Sequence, residues 1–127
     1  MIIHEEIKVA VFSGRNGDCI RLLKALKYEY KGKIFIVPAG FVSDGASVPQ
    51  FLWGTISPAI DPRTLDAAIA HDHLYRSFSY DFTRREVDTL FYKLCRAHGL
   101  GFWRSVKAYL GLRLFGGKHW TKKGWER

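Results

Sequence analysis

The stretch Ala67-Ala68-Ile69-Ala70-His71-Asp72-His73-Leu74-Tyr75 sets an imidazole, a carboxylate and a phenol in one otherwise apolar segment. A helix turns about 100° per residue, so Ala67, His71 and Tyr75 share one face and Ala68 and Asp72 the adjacent one. The small alanines let another backbone come close there. His73 points roughly 200° away from His71, which argues against a zinc site built from the two rings.

Further along, Asp88 sits at the edge of an apolar stripe formed by Val87, Leu90, Phe91 and Leu94 and can face a packed partner helix. A buried carboxylate needs a donor, and an imidazole N–H on the facing helix is a suitable one. His71 is therefore the candidate partner of Asp88. An imidazole held in this way has its tautomer fixed, and its other nitrogen can take a proton from water near neutral pH. Asp72, with oxygens from the Phe41–Ser47 loop, suits a hard cation such as calcium, which prefers carboxylate and carbonyl ligands. Together these groups describe a hydrolytic site. The same residues also suit a buried polar network that merely locks two helices together, and the two readings stand about even. In the loop, Asp44 and Ser47 equally suit turn capping through side chain to backbone hydrogen bonds.

The elements that must position these groups are legible in outline. Segments around Lys8–Phe12, Leu26–Tyr30 and Ile34–Val37 are rich in β-branched and aromatic residues and read as strands, with Lys31-Gly32-Lys33 as a tight hairpin connection that Pro38 and Gly40 close. Phe41–Pro49, F-V-S-D-G-A-S-V-P, reads as an ordered loop. Asp61-Pro62 resembles an N-cap followed by a first-turn proline, opening a helix to about Ser77. Thr83-x-x-Glu86 is a capping box before a second helix that His98-Gly99 stops, and a third is expected from Phe102 to Phe115, ended by Gly116-Gly117. His73, His98 and His119 read as surface or helix-end residues. The expected fold is α+β: a small antiparallel sheet in the N-terminal third, then an antiparallel helical pair and a third helix. It forms one domain over residues 1–127, with a strand-rich half (1–50, loop 40–49) and a helical half (51–127).

At 127 residues, 47% hydrophobic and 25% charged, the composition is that of a globular domain and excludes a disordered chain. No apolar run approaches the ~20 residues of a membrane span, and the first residues carry acids where a signal peptide would carry bases. Cys19 and Cys95 are too few for a disulfide framework and read as buried, reduced thiols. The net charge of +8 is uneven: residues 96–127 hold 8 basic side chains against 1 acid, leaving 12 against 11 in the rest. Such a tail attracts polyanions. Lys118, Trp120, Lys122, Lys123 and Trp125 together form a candidate interface for lipid or protein; with no recognised nucleic-acid motif present, nucleic acid is set aside.

Two resemblances follow. Over nearly the whole chain, V-P-A-G-F-V-S-D-G-A-S-V-P, then A-A-I-A-H-D-H-L-Y-R, then R-x-E-V-D-T-L-F resembles a family of small proteins of unknown function encoded by tailed bacteriophages and prophages. Over about a third of the chain, D-A-A-I-A-H-D-H-L-Y with V-D-T-L-F resembles the paired helices of the phospholipase A2 superfamily, especially its compact, cysteine-poor parvoviral form. That second resemblance implies His71 as general base, Asp88 as its orienting carboxylate, Tyr75 as a further hydrogen-bond donor, and Asp72 as a calcium ligand. The Gly40–Gly45 loop, with Asp44 and Gly45, would complete the calcium site. The glycine spacing of that loop departs from the phospholipase pattern, and the strand-rich first forty residues have no counterpart in the phospholipase core.

The expected function is a phage-encoded, calcium-dependent lipid or ester hydrolase. A rival is a non-catalytic virion component of tail or tail tip, in contact with phage structural proteins. A third is a host-directed inhibitor that binds an acidic partner through residues 96–127. The expected location is the virion or the host cytoplasm.

Overall fold

The computed structural model describes residues 7–14, 17–43, 63–76 and 81–120. Five strands come first: β1 (Val9–Gly14), β2 (Gly17–Leu22), β3 (Leu26–Tyr30), β4 (Lys33–Val37) and β5 (Val42–Ser43). Three helices follow, α1 (Leu65–Arg76), α2 (Arg84–Ala97) and α3 (Phe102–Phe115), and a 3-10 turn over Gly116–His119. The α+β expectation of antiparallel strands before three helices is met.

The strands form two antiparallel sheets, one ordered β1-β2-β5 and one the hairpin β3-β4. Strand β2, with Gly17, Asp18 and Arg21 among its residues, was not recognised in the sequence. It is held from both sides, pairing Val11 with Ile20 toward β1 and Ile20 with Ser43 toward β5. The hairpin has the strict alternation of a half-covered sheet. Leu26, Tyr28 and Tyr30 of β3 and Phe35 and Val37 of β4 are buried, while Ile34 and Ile36 stay about half exposed. Tyr28 stacks on Phe35 with ring centroids 4.9 Å apart, and Phe82, just ahead of α2, closes edge-on over Phe35 at 6.1 Å.

Across from this layer, α1 contributes Ile69, Ala70 and Leu74, α2 contributes Val87, Leu90, Phe91 and Leu94, and α3 contributes Ala108 and Leu112 to one shared core. The capping box of α2 forms as read: Glu86 N–H donates to Thr83 Oγ1 at 3.1 Å, and Thr83 N–H donates to Glu86 Oε1 at 2.9 Å. Gly99 (φ +91°) ends α2 in the left-handed region. The bounds of α3 also match the expectation, with a different ending: Gly116 stays right-handed at φ −74° and passes into the 3-10 turn. The start of α1 is a correction. Within the described residues the helix begins at Leu65, after Arg63 and Thr64 in a turn, with Ala68 N–H donating to Thr64 O at 2.8 Å. Asp61 and Pro62, taken as cap and first turn, lie outside the described residues.

The β3-β4 turn sets Lys31 at φ +52° and Gly32 at φ +75°, two consecutive left-handed residues between paired Tyr30 and Lys33. That is the backbone of a type I′ hairpin, and a lysine there is strained by about 1 kcal/mol where asparagine is tolerated. Lys31 contributes an exposed ion pair to Glu86 at 3.9 Å and a distant contact over the Tyr30 ring at 5.9 Å, both weak. Lys31→Asn is therefore expected to stabilise the fold by about 0.5–1 kcal/mol, read as a higher denaturant midpoint at unchanged slope.

Candidate active site

Helices α1 and α2 pack against each other, and the expected imidazole–carboxylate contact lies between them. His71 Nε2 and Asp88 Oδ1 are 2.8 Å apart, with His71 1% and Asp88 0% exposed. Tyr75, one turn after His71, donates its hydroxyl to the same Oδ1. The helical face read from the sequence thus delivers both groups to one oxygen. The His71 ring lies 4.0 Å from that of Tyr75 and meets Phe91 edge-on at 5.4 Å, so apolar walls fix its plane.

The other oxygen of Asp88 is held by arginines that the sequence reading passed over. Arg113 of α3 donates to Oδ2 at 2.8 Å, and Arg84, one turn before Asp88, lies 3.9 Å from it. Arg84 also donates to the Tyr75 hydroxyl at 3.1 Å and to the carbonyls of Leu112 and Arg113. Its guanidinium therefore caps the C-terminal end of α3, where a cation is favoured. The signal for Arg84 was its spacing of four residues from Asp88. Arg113 had no comparable signal, having been counted only as part of a basic tail.

Asp72 faces the strand side. It accepts the Ser43 hydroxyl at 2.5 Å, lies 3.9 Å from the Arg76 guanidinium, and is hydrogen-bonded to His71. Strand β5 is short, but its pairing with Ile20 places Ser43 here, and Arg76 donates to Val42 O at 2.9 Å to keep it so. Asp44 and Gly45, expected to complete a cation site, lie outside the described residues, as do Lys122, Lys123, Trp125 and the Lys118 side chain. Among the described residues no group of three metal-ligating side chains gathers.

Trp120, expected at an interface, is a correction. It is 4% exposed and packs edge-on to Tyr75 at 5.1 Å. The 3-10 turn, with Trp120 N–H on Gly117 O at 3.2 Å, folds the chain back over the site. His73, in the last turn of α1, and His98, the C-cap of α2, stand at helix ends as read, but each also has a partner. His73 packs against Phe41 at 5.3 Å, and burial beside Arg76 lowers its pKa. His98 pairs with buried Asp66 at 2.8 Å, and Tyr28 donates to the other oxygen of that carboxylate. This second network ties β3, the first turn of α1 and the end of α2 together.

Burial is the largest influence on His71 and pushes its pKa down, but hydrogen bonds and charges from Asp72 and Asp88 outweigh it, and the net shift is upward. For Asp88, burial pushes up, while His71, Tyr75 and Arg113 outweigh it and the net shift is downward; Asp72 is likewise lowered, by His71, Ser43 and Arg76. Raised His71 contributes stability that is complete below about pH 6.5, its unfolded value, and is lost as pH rises through the folded value. Lowered Asp72 and Asp88 contribute stability above about pH 4, lost as pH falls through their folded values. Thermal stability is expected to peak between about pH 4 and 6.5, and His71→Gln should flatten the alkaline side of that profile.

Gly116 has a steric role. A Cβ there would lie 3.1 Å from the Tyr75 hydroxyl, which Asp88 and Arg84 already hold. Gly116→Ala is expected to destabilise the fold by about 1–3 kcal/mol, measured by denaturant unfolding, with Tyr75→Phe in the same background recovering part of the loss.

A family profile described as "Protein of unknown function (DUF1353)" matches residues 20–112, from β2 into α3, a span that includes His71, Asp72, Tyr75, Arg84 and Asp88. A protein from Sinorhizobium fredii, "Uncharacterized protein y4jT", is 32% identical over 85 residues, 67% of this chain. The match covers 24% of that protein, so this chain corresponds to about a quarter of its relative's length. No solved structure matches. With the matched span taking in part of the β1-β2-β5 sheet, the whole β3-β4 hairpin, α1, α2 and most of α3, the chain belongs to the DUF1353 family.

Proposed function

We propose that the protein is a phospholipase A2-like hydrolase of lipid or other esters, with His71 as general base. The observation that carries this is the His71 Nε2 to Asp88 Oδ1 contact of 2.8 Å between two packed helices. With Nε2–H donated to Asp88, the basic lone pair of neutral imidazole lies on the other nitrogen; once the hydrogen bond between the ring and Asp72 gives way, a water there would lose its proton to it as it attacks an ester carbonyl. The imidazolium so formed sits between the carboxylates of Asp88 and Asp72, which stabilise it. Tyr75, Arg84 and Arg113 keep Asp88 ionised and in place throughout.

Calcium is the second element of the proposal. Asp72, held ionised beside the Ser43 hydroxyl, presents the hard oxygens that such a cation favours, with Asp44 and Gly45 as further ligands; Arg76 at 3.9 Å competes for the carboxylate. Bound there, the cation would polarise the ester carbonyl. The relation to phage and prophage proteins belongs to the same proposal, which places the protein in the particle or the infected cell.

One observation favours a rival. His71 is only 1% exposed, as expected of a brace in a non-catalytic particle component. Turnover of phosphatidylglycerol vesicles and of a soluble nitrophenyl ester separates the two. The hydrolase reading expects His71→Asn to lower kcat by about 100- to 10,000-fold. It also expects the rate to rise with pH through a His71 pKa above its ordinary value, and calcium to raise Tm in the parent but not in Asp72→Asn. Absence of turnover in the parent, or turnover unchanged in a less stable His71→Asn, would establish the bracing role.

A further inference from the structure

On its inner side α3, which packs against α2, buries Ser105, Ala108, Gly111 and Leu112. Its outer side is of another kind. Trp103, Lys107, Leu110 and Leu114 recur at spacings of four, three and four and fall within an arc of about 60°. Trp103 is 72%, Leu110 50% and Leu114 73% exposed, in a line about 16 Å long. Phe102 and Phe115 are half exposed at the two ends of the helix. Single exposed leucines are ordinary, but an aligned row of exposed apolar side chains broken by one lysine marks a contact surface.

Charge selects the occupant. The helix F-W-R-S-V-K-A-Y-L-G-L-R-L-F carries Arg104, Lys107 and Arg113 and no acid. Pairing with a second copy would bury Lys107 in the seam against another Lys107, with no carboxylate on the helix to meet it. An anionic bilayer suits the whole pattern. Tryptophan and leucine enter the boundary of the acyl region, the stem of Lys107 lies along them with its ammonium among headgroups, and Arg104 pairs with lipid phosphate. The face is the outer side of a single helix, which a flat lipid surface can meet along its whole line.

We propose that the Trp103–Lys107–Leu110–Leu114 face of α3 docks the protein on an anionic lipid surface. This deepens the hydrolase reading and rests on it for what the contact delivers, while docking itself is measured without turnover. The test is co-sedimentation of the full chain with phosphatidylcholine vesicles, with and without phosphatidylglycerol. The parent should bind the anionic vesicles, and Leu110→Ser/Leu114→Ser should weaken binding at least about tenfold with an unchanged far-ultraviolet spectrum. Should the double variant misfold, Lys107→Glu, a single exposed change, must still weaken binding. Hydrolysis absent with docking intact would remove the enzyme reading alone. Docking that the apolar changes leave untouched, or no binding of either vesicle, would overturn the docking proposal. So would a dimer in sedimentation equilibrium that the same double variant dissolves, since it would assign the face to a second copy.

Discussion

One carboxylate organises the helical half of this protein. Asp88 is wholly buried, and an ionised group in that position is tolerable only if nearly every lone pair is met. Each helix supplies part of the solution: α1 brings His71 and Tyr75 to Oδ1, α3 brings Arg113 to Oδ2, and Arg84 stands one turn away on α2 itself. The three helices are thereby fixed in relative rotation as well as distance. An apolar contact can slide by a fraction of a turn, whereas a shared carboxylate cannot be reached by all these donors in any other register. The neighbouring glycine and tryptophan, Gly116 and Trp120, complete the arrangement by letting the chain close tightly over Tyr75.

The strands serve the site through a smaller contact. The pairing of Ile20 with Ser43 carries the edge of the β1-β2-β5 sheet to Asp72, so the imidazole has a carboxylate on each side. Two negative groups flanking one buried ring explain why proton affinity there is high despite desolvation. The hairpin, by contrast, reaches α1 and α2 through Tyr28 and Tyr30, which combine an apolar ring with a hydroxyl that finds Asp66 and the Glu86 carbonyl.

Much of this was legible because it depends on local rules. The period of α2, its capping box and the bounds of α3 follow from side-chain spacing within each helix. The face shared by His71 and Tyr75 follows in the same way, and the meeting with Asp88 follows from the cost of burying a lone carboxylate. What was not legible depends on tertiary placement. Strand β2 contains Asp18 and Arg21 and lacks a continuous β-rich pattern, yet pairing on both edges makes it a strand. Arg113 looks in sequence like any basic residue of a cationic tail; only the fold of α3 against α2 turns it inward. Trp120 misled for the converse reason, since its basic neighbours suggested a surface and the 3-10 turn buried it. His98 sits at a helix end as expected, but the carboxylate it pairs with lies 32 positions away, out of reach of any local pattern.

Because α3 grips Asp88 through Arg113, and three of its buried residues, Ser105, Ala108 and Gly111, are small, its seating and the charge on His71 are thermodynamically linked. A guanidinium and an imidazolium draw on the same anion while repelling each other. Lifting the helix would leave the ring a larger share of that anion and a stronger hold on its proton. Whatever pulls on the outer helix therefore speaks, through a single shared ion, to the acid–base state of a group buried one layer below.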